Sequence, residues 1–141
     1  MSSAPIVSSG TYGSLQEKPP IAAEEYIRAV QEEVMPYDRN LFRTDEGLRD
    51  SLQRLDGVWK SIRQEPIHLD YQAVKKREAA AMAATARWMY RSAQARTETR
   101  GMHKRVDYPE LDETQHYRLI TSGLDEISVR AQRVSGEAVS L

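Results

Sequence analysis

From Ala22 to Arg100, apolar residues recur at spacings of three and four, the period of α-helices that bury one face. A first helix is predicted over Ala22–Met35 and ends at Pro36, whose ring lacks an N–H and disrupts the preceding turn. A second begins near Thr44, a good N-cap, and ends at Pro66. Its apolar positions form the narrow seam of a helical bundle: Leu48, Leu52, Leu55, Trp59 and Ile62.

The third and longest helix is predicted from Leu69 or Asp70 to Arg100. Gly101 is expected just after its end, in the left-handed conformation that often follows a helix C-terminus. Because small side chains let helices approach closely, the Ala79–Ala84 run is expected at the tightest crossing. The predicted inner face consists of Tyr71, Val74, Ala81, Thr85, Trp88, Ser92, Ala95 and Thr99.

The period changes to two after Pro109. Apolar and polar residues alternate over Ile127–Gln132, which with His116–Thr121 and the turn at Ser122–Asp125 predicts a β-hairpin. A fourth short helix over residues 124–130 is the alternative. Since an isolated hairpin is marginally stable, it must pack on the helices or on another domain.

These elements predict a mainly α fold: an antiparallel three-helix bundle, similar to a spectrin repeat, followed by a small β-hairpin. The bundle and hairpin are expected to occupy residues 21–134. Residues 1–20 are rich in Ser, Gly and Pro, which is typical of a flexible linker or tail. An artificial junction and a strand remnant of a preceding domain are the alternatives. Residues 135–141 are expected to form a frayed tail.

The composition of the chain excludes several classes of function. The chain has 141 residues, enough for one domain with a core. Its 20 basic and 21 acidic side chains give a net charge of −1, so no strong field attracts nucleic acid or an anionic membrane. We expect no nucleic-acid partner and no direct membrane insertion, since the longest apolar run, Ala79–Ala86, is far below the ~20 residues that span a bilayer.

The chain has no cysteine, which excludes disulfides, thiolate nucleophiles and cysteine-ligated iron–sulfur clusters within it. Absence of cysteine suits a reducing compartment, and the N-terminus has no basic region followed by an apolar one. We expect a cytoplasmic location, or the cytoplasmic face of a membrane through a partner.

Charge is concentrated in the segment that follows the third predicted helix. Cations at this place can bind the last helix carbonyls and complement the negative end of the helix dipole. The residues of the segment are Arg96, Glu98, Arg100, Gly101, His103, Lys104, Arg105, Asp107, Tyr108 and Pro109.

This segment, together with Asp112, resembles a signature of the C-terminal helical domain of succinate dehydrogenase and fumarate reductase flavoproteins, and of L-aspartate oxidase. Thr99 stands where the family usually has Ser, which keeps the hydroxyl. Weaker resemblance extends upstream to Tyr37 and the 41–48 stretch, and downstream to about Val134. The resemblance implies a three-helix bundle with a small β element, within an enzyme that exchanges hydride between flavin and a dicarboxylate-like substrate.

The resemblance also implies cofactor and partners. FAD is expected in the parent enzyme, held by an N-terminal domain that is not in this chain. The chain has no Gly-x-Gly-x-x-Gly and no phosphate loop, so we expect it to bind no cofactor and to contribute no catalytic residue. Its expected partner is a FAD-binding domain or subunit; the electron partner stays open among an iron–sulfur subunit, a quinone and oxygen. The alternatives are a stand-alone helical module that pairs with a separate flavin subunit, and an adaptor with no redox link.

We expect the charged segment to contact the flavin domain through Arg96, Glu98, Arg100, His103, Arg105, Asp107 and Tyr108. Its charges have two possible roles. In one, Arg100, His103 and Arg105 form an electropositive edge for the cofactor or a dicarboxylate, since guanidinium groups fit carboxylates. In the other, an ion-pair network fixes the turn and its contact with the partner, through Arg96, Glu98, Arg100 and Asp107.

A metal site is not expected in this segment. His103 and His116 lie 13 residues apart, which matches no zinc pattern, and no third nitrogen or sulfur ligand is near them.

Overall fold

The chain is mainly helical, with a small antiparallel sheet at its C-terminal end. The computed structural model describes residues 21–66, 71–134 and 138–139, so the tail predicted over residues 1–20 lies outside the described residues. Four helices are present in them: α1 (Ala23–Val34), α2 (Tyr37–Asn40), α3 (Asp45–Gln64) and α4 (Tyr71–Ala95). After a 3₁₀ turn at Glu113–Gln115 come the strands β1 (Tyr117–Ser122), β2 (Ser128–Arg133) and β3 (Ala138–Val139).

The first two predicted helices are confirmed as α1 and α3. The Thr44 hydroxyl accepts a hydrogen bond from the Gly47 N–H at 3.0 Å, which is the predicted N-cap. The short helix α2 was not predicted. It is tied to the end of α1 because the Asn40 side chain donates to the Val34 carbonyl at 2.8 Å. The α3 seam is buried at Leu48, Leu52, Leu55 and Trp59.

The longest helix turns a different face to the core from the one predicted. Val74 is 60% exposed and Trp88 36% exposed, although both belong to the predicted inner face. An alanine run offers small side chains on every side, so its periodicity does not select a face. Tyr90 selects it instead, because its buried hydroxyl donates to the Glu33 carbonyl of α1 at 2.6 Å. The buried residues of α4 are Ala79, Ala83, Ala84, Ala86, Arg87, Tyr90 and Ala93.

Helix α4 ends at Ala95 rather than at the predicted Arg100. The backbone beyond it bonds elsewhere: the Thr99 N–H donates to the Glu110 carbonyl at 3.0 Å. Gly101 does have a positive φ of 57°, but it lies in a tight turn in which Arg100 and His103 exchange backbone hydrogen bonds. Gly101 therefore adopts the predicted left-handed conformation, but within this turn and not directly after the helix.

The predicted hairpin is confirmed, and the alternative short helix is wrong. Strands β1 and β2 pair antiparallel from Tyr117↔Arg133 to Ser122↔Ser128. A third strand, β3, pairs with β2 and lies within residues 135–141, the stretch predicted as a frayed tail. Strand order is β1-β2-β3, which leaves β2 in the centre.

The helices α1, α3 and α4 contact one another pairwise and enclose the core, while the sheet packs on α4. The hairpin turn is held by both tryptophans: Trp59 Nε1 donates to the Asp125 carboxylate at 2.8 Å and Trp88 Nε1 to the Gly123 carbonyl at 2.6 Å. These bonds supply the support that a small sheet needs. Within the described ranges, no helix is both long enough and apolar enough to cross a lipid bilayer.

Candidate functional site

The charged segment after α4 folds back onto the end of that helix and onto the start of α3. We call residues 96–112 the clasp. The Arg43 N–H donates to the Lys104 carbonyl at 3.2 Å, and the Val106 N–H donates to the Arg43 carbonyl at 2.8 Å. Arg43 also contacts the ring of His103, 60 residues later in the chain. The fold therefore joins the two stretches, residues 41–48 and the clasp, that resemble the same family.

Arg105 satisfies the open end of α4. Its side chain is buried, with 1% of the residue exposed, and Nη1 donates to the carbonyls of Ala93 at 3.1 Å and Arg96 at 3.0 Å. The last carbonyls of a helix have no intrahelical partner, so a buried cation here replaces the water that would otherwise bind them. The prediction that a cation caps this helix is confirmed, although the helix ends earlier than predicted.

Asp107 binds the N-terminal end of α3, whereas Arg105 binds the C-terminal end of α4. Its Oδ2 atom accepts a hydrogen bond from the backbone N–H of Asp45, in the first turn of α3, at 2.8 Å. Its two carboxylate oxygens also accept from Arg105 Nε and Nη2, each at 2.8 Å. The hydrogen bond from Arg105 is the main reason that the pKa of Asp107 is lowered to about 2.

Glu98 is the centre of a second charged group and is fully buried at 0% exposure. Its carboxylate accepts from Arg96 Nη1 at 2.6 Å, Arg100 Nε at 2.8 Å and the Asp112 N–H at 2.8 Å. Burial by itself would raise the pKa of Glu98, but the hydrogen bonds from Arg100, Asp112 and Arg96 outweigh it and leave that pKa below its ordinary value. The carboxylate is therefore an anion with its partners in place.

Arg96 extends this group to the sheet. Its guanidinium donates to the carbonyls of Gln115 at 2.9 Å and Tyr117 at 2.8 Å, and its Cζ atom lies 5.3 Å from the centre of the Tyr117 ring. The same side chain thus fixes both the clasp and the first residue of β1.

His103 lies half-buried between two groups that set its protonation. Arg43 Nη1 is 3.0 Å from Nδ1, and the Arg96 carbonyl is 3.2 Å from Nε2. Because a guanidinium only donates, Nδ1 accepts and the ring proton lies on Nε2. Burial is the largest cause of a lowered pKa for His103, and the charges of Arg43, Arg105 and Arg96 lower it further. The ring is neutral at pH 7.

These contacts bear on the two roles open to the charged segment. An ion-pair network is present, but Asp107 pairs with Arg105 instead of joining the group of Arg96, Glu98 and Arg100. All three nitrogens of Arg105 donate within the chain, and both nitrogens of His103 are engaged. The geometry of an internal frame fits better than that of an edge with donors free for a ligand.

Of the seven predicted interface residues, Glu98 and Arg105 are buried inside this chain and Tyr108 is 43% exposed. Contact of any of the seven with a partner stays a prediction. Sequence reasoning missed Arg43 and the exposed apolar residues beside it. The signal for the latter was present: Met102, Val106 and Tyr108 lie at even spacings of four and two, with charged residues between them.

A groove of about 560 Å³ lies between α3, α4 and the hairpin turn. Several of its charges pair with one another: Arg87 with Asp56 at 2.7 Å and Arg63 with Asp125 at 3.3 Å. Arg87 also donates to the Leu124 carbonyl, so it fixes the hairpin turn. The groove is accounted for by the docking of the sheet.

Comparison with known proteins gives one family. The family model described as the fumarate reductase flavoprotein C-terminus matches residues 28–139, which include both stretches joined at the clasp and all three strands. A search of the curated proteins finds no match.

Proposed function

Because the chain belongs to the fumarate reductase flavoprotein C-terminal family, we propose that it is the helical part of a FAD-dependent oxidoreductase of the fumarate reductase or succinate dehydrogenase type. In this proposal the chain packs against a flavin-binding domain or subunit through the clasp region. It catalyses no reaction by itself. We also propose that α1, α3 and α4 form an antiparallel three-helix bundle, which their pairwise contacts support.

The observation that carries the non-catalytic role is that Arg96, Arg100 and Arg105 form their ion pairs inside this chain. A site for a dicarboxylate needs cations with free donors. Glu98 binds both Arg96 and Arg100, and Asp107 and the end of α4 occupy Arg105. The cations of the family signature therefore serve the fold of this chain.

The described residues do not fit the pyrophosphate of FAD. Proteins commonly hold such a group on the N–H groups of a glycine-rich helix start. At the start of α3 those N–H groups already bind the Thr44 hydroxyl and the Asp107 carboxylate, an anion that would repel phosphate. The first turn of α1 carries Glu24 and Glu25. This supports a cofactor held by another domain or subunit, and these 141 residues offer no cysteine to ligate an iron–sulfur cluster.

A second candidate is a stand-alone helical module that pairs with a separately encoded flavin subunit. It is favoured by the clasp, whose arginines form their ion pairs within this chain. An in-frame flavin-binding sequence upstream of Met1 in the genome would reject it, whereas co-purification of a separate flavin subunit with the natural chain would support it. In either case we propose a location in the cytoplasm or on the cytoplasmic face of a membrane through the partner.

Two experiments test the proposal. Titration of the purified chain with FAD is expected to give neither saturable binding nor a flavin spectral shift, and either result would contradict a cofactor-free role. In the intact enzyme, Arg100→Ala is expected to lower the unfolding temperature while turnover per folded molecule stays normal. A well-folded Arg100→Ala enzyme with depressed turnover would assign the clasp to catalysis instead.

A further inference from the structure

Side chains that face solvent alternate along the clasp with side chains that face the chain. Met102 is 81% exposed and Val106 58% exposed, whereas Arg105 is 1% exposed. Lys104, between Met102 and Val106, is exposed, and His103 is half-buried. Successive side chains of an extended segment point to opposite sides. Lys104 and Val106 therefore share one outward side, and Met102, in the turn just before them, is exposed as well.

Phe42 joins this side from the segment before α3. The backbones of Arg43 and Arg105 pair in parallel, and paired residues direct their side chains to the same side. Since Arg105 points inward, the residue before Arg43 points outward, and Phe42 is 55% exposed. Tyr108 is 43% exposed two residues after Val106, and its ring centre lies 4.9 Å from Cζ of Arg105. We call this surface the clasp face: Phe42, Met102, Lys104, Val106 and Tyr108.

Large exposed apolar side chains are frequent in the two chain segments that contribute to the clasp face. Scattered exposed apolar residues need no explanation, but a cluster marks an interaction surface. Of the eleven found in the described ranges, seven lie in residues 35–42 and 102–111: Met35, Tyr37, Phe42, Met102, Val106, Tyr108 and Leu111.

We propose that the clasp face, rather than the charged residues beneath it, is the surface that binds the flavin-binding polypeptide. The complementary surface is apolar, with a carboxylate opposite Lys104 at its rim. Among the described residues the Lys104 ammonium has no ion-pair partner, unlike the other cations of the clasp. An apolar centre with a charged rim is the usual anatomy of a protein interface. The inference rests on the proposed function, which supplies the partner.

The buried charges give this surface its shape. Arg105 binds the clasp to the end of α4, and Asp107 binds it to the start of α3. Glu98 accepts from the Asp112 N–H and so joins the first and last parts of the clasp. The outward side chains therefore project from a backbone that is fixed in place. A surface that is already ordered loses less entropy on binding. Most of the residues that the sequence predicted to contact the partner therefore hold the clasp face in position, and the clasp-face residues make the contact.

The exposed side of α4, which carries Val74 and Trp88, is the alternative surface for binding the partner and supplies matched controls. Val74 on α4 is 60% exposed and Val106 on the clasp face 58% exposed, so Val74→Asp and Val106→Asp place the same charge at equally exposed valines. Met102→Asp adds a change at the tip of the clasp turn. Lys60→Glu is the control for Lys104→Glu, because it makes the same change of charge at an exposed lysine of α3.

The probe is the FAD-loaded flavin-binding polypeptide of this family encoded in the same genome. Its affinity for each variant is measured by titration calorimetry after circular dichroism has established that the variant is folded. We expect Val106→Asp and Met102→Asp to weaken binding about tenfold or more, and Val74→Asp less than about twofold. Lys104→Glu should weaken binding and reduce its salt dependence, while Lys60→Glu should do neither.

The outcomes separate the two proposals. If the wild-type chain does not bind the probe, the proposed function fails and this inference fails with it. If it binds and the clasp-face variants bind equally well, or Val74→Asp weakens binding instead, the inference is overturned while the proposed function stands. Where both parts form one polypeptide, the same variants are compared by hydrogen exchange at the clasp face of the holoenzyme, which should be protected in the wild type and deprotected only by the clasp-face changes.

Discussion

Arg105 and Asp107 form a doubly hydrogen-bonded ion pair that joins the C-terminal end of α4 to the N-terminal end of α3. The two bonds between the side chains are each 2.8 Å long. Arg105 reaches carbonyls of the last turn of α4, while Asp107 accepts from the first N–H of α3. Each charge lies at the helix end whose dipole it complements. This one pair therefore links the end of α4 to the start of α3, two helix ends that are far apart in the sequence.

Arg105→Ala is expected to lower the free energy of unfolding by about 3–5 kcal/mol, because it leaves a carboxylate and several helix carbonyls without their partner. Arg105→Lys should recover only part of this, since an ammonium cannot bind both carboxylate oxygens and the helix carbonyls at once. Urea unfolding measures both variants. Arg118→Ala, an exposed arginine of β1, is the control and should change the free energy by less than about 0.5 kcal/mol. Equal values for Arg105→Ala and Arg118→Ala would show that the pair contributes nothing.

Acid should destabilise the chain partly through Asp107. Its pKa is about 2 in the folded chain against an ordinary 3.8, so below pH 4 the unfolded state takes up the proton first. The stability that this carboxylate contributes is complete above its unfolded pKa and is lost as the pH falls towards 2. The difference in unfolding free energy between the wild type and Asp107→Asn should therefore shrink between pH 5 and pH 2. A constant difference across that range would remove Asp107 from the acid response.

His103 should act in the same direction at higher pH. Burial and the neighbouring arginines lower its pKa below the ordinary 6.5, so the unfolded state binds the proton first as the pH falls. The stability contributed by the neutral ring is complete above pH 6.5 and is lost below it. The unfolding free energy of His103→Gln, which keeps a hydrogen-bonding side chain without titrating, should depend less on pH between 7.5 and 5.5. NMR titration of the ring gives an independent check, and a His103 pKa above 6.5 would refute the assignment.

The same substitution at two glycines should have opposite effects. At Gly123, φ is 88° and an added Cβ would lie 1.9 Å from the Glu126 carbonyl oxygen, so Gly123→Ala should destabilise the hairpin by about 1–3 kcal/mol. At Gly57, within α3, an added Cβ meets no atom within 4 Å, and Gly57→Ala should stabilise by about 0.5–1 kcal/mol. Thermal unfolding compares the two. A stabilised Gly123→Ala protein would mean that the turn adopts another conformation.

The elements that sequence predicted correctly share one property: their signals are local. The Thr44 cap, the spacing from Leu48 to Trp59 and the alternation in Ile127–Gln132 each concern residues within a few turns of one another. The predictions that failed depended on distant partners. The face of α4 could not be read from its alanines, and its end could not be read from Gly101.

For the candidate site the division is similar. The residues of the clasp and their resemblance to one flavoprotein family were visible in the chain itself, and so was the cationic cap after the last long helix. The approach of Arg43 to His103 and the bond from the Asp45 N–H to Asp107 could not be predicted, because they join residues 60 and 62 positions apart in the chain. No spacing rule connects such segments.

The sequence by itself determined the three long helices, the hairpin and the family, because periodicity, capping and motif order act along the chain. Only the tertiary structure decided which charges are buried and which apolar residues face solvent. Burial depends on what lies opposite a side chain in space, and for Glu98 and Arg105 the folded clasp supplies the partners: Arg100 and Asp112 for Glu98, and Asp107 with the end of α4 for Arg105.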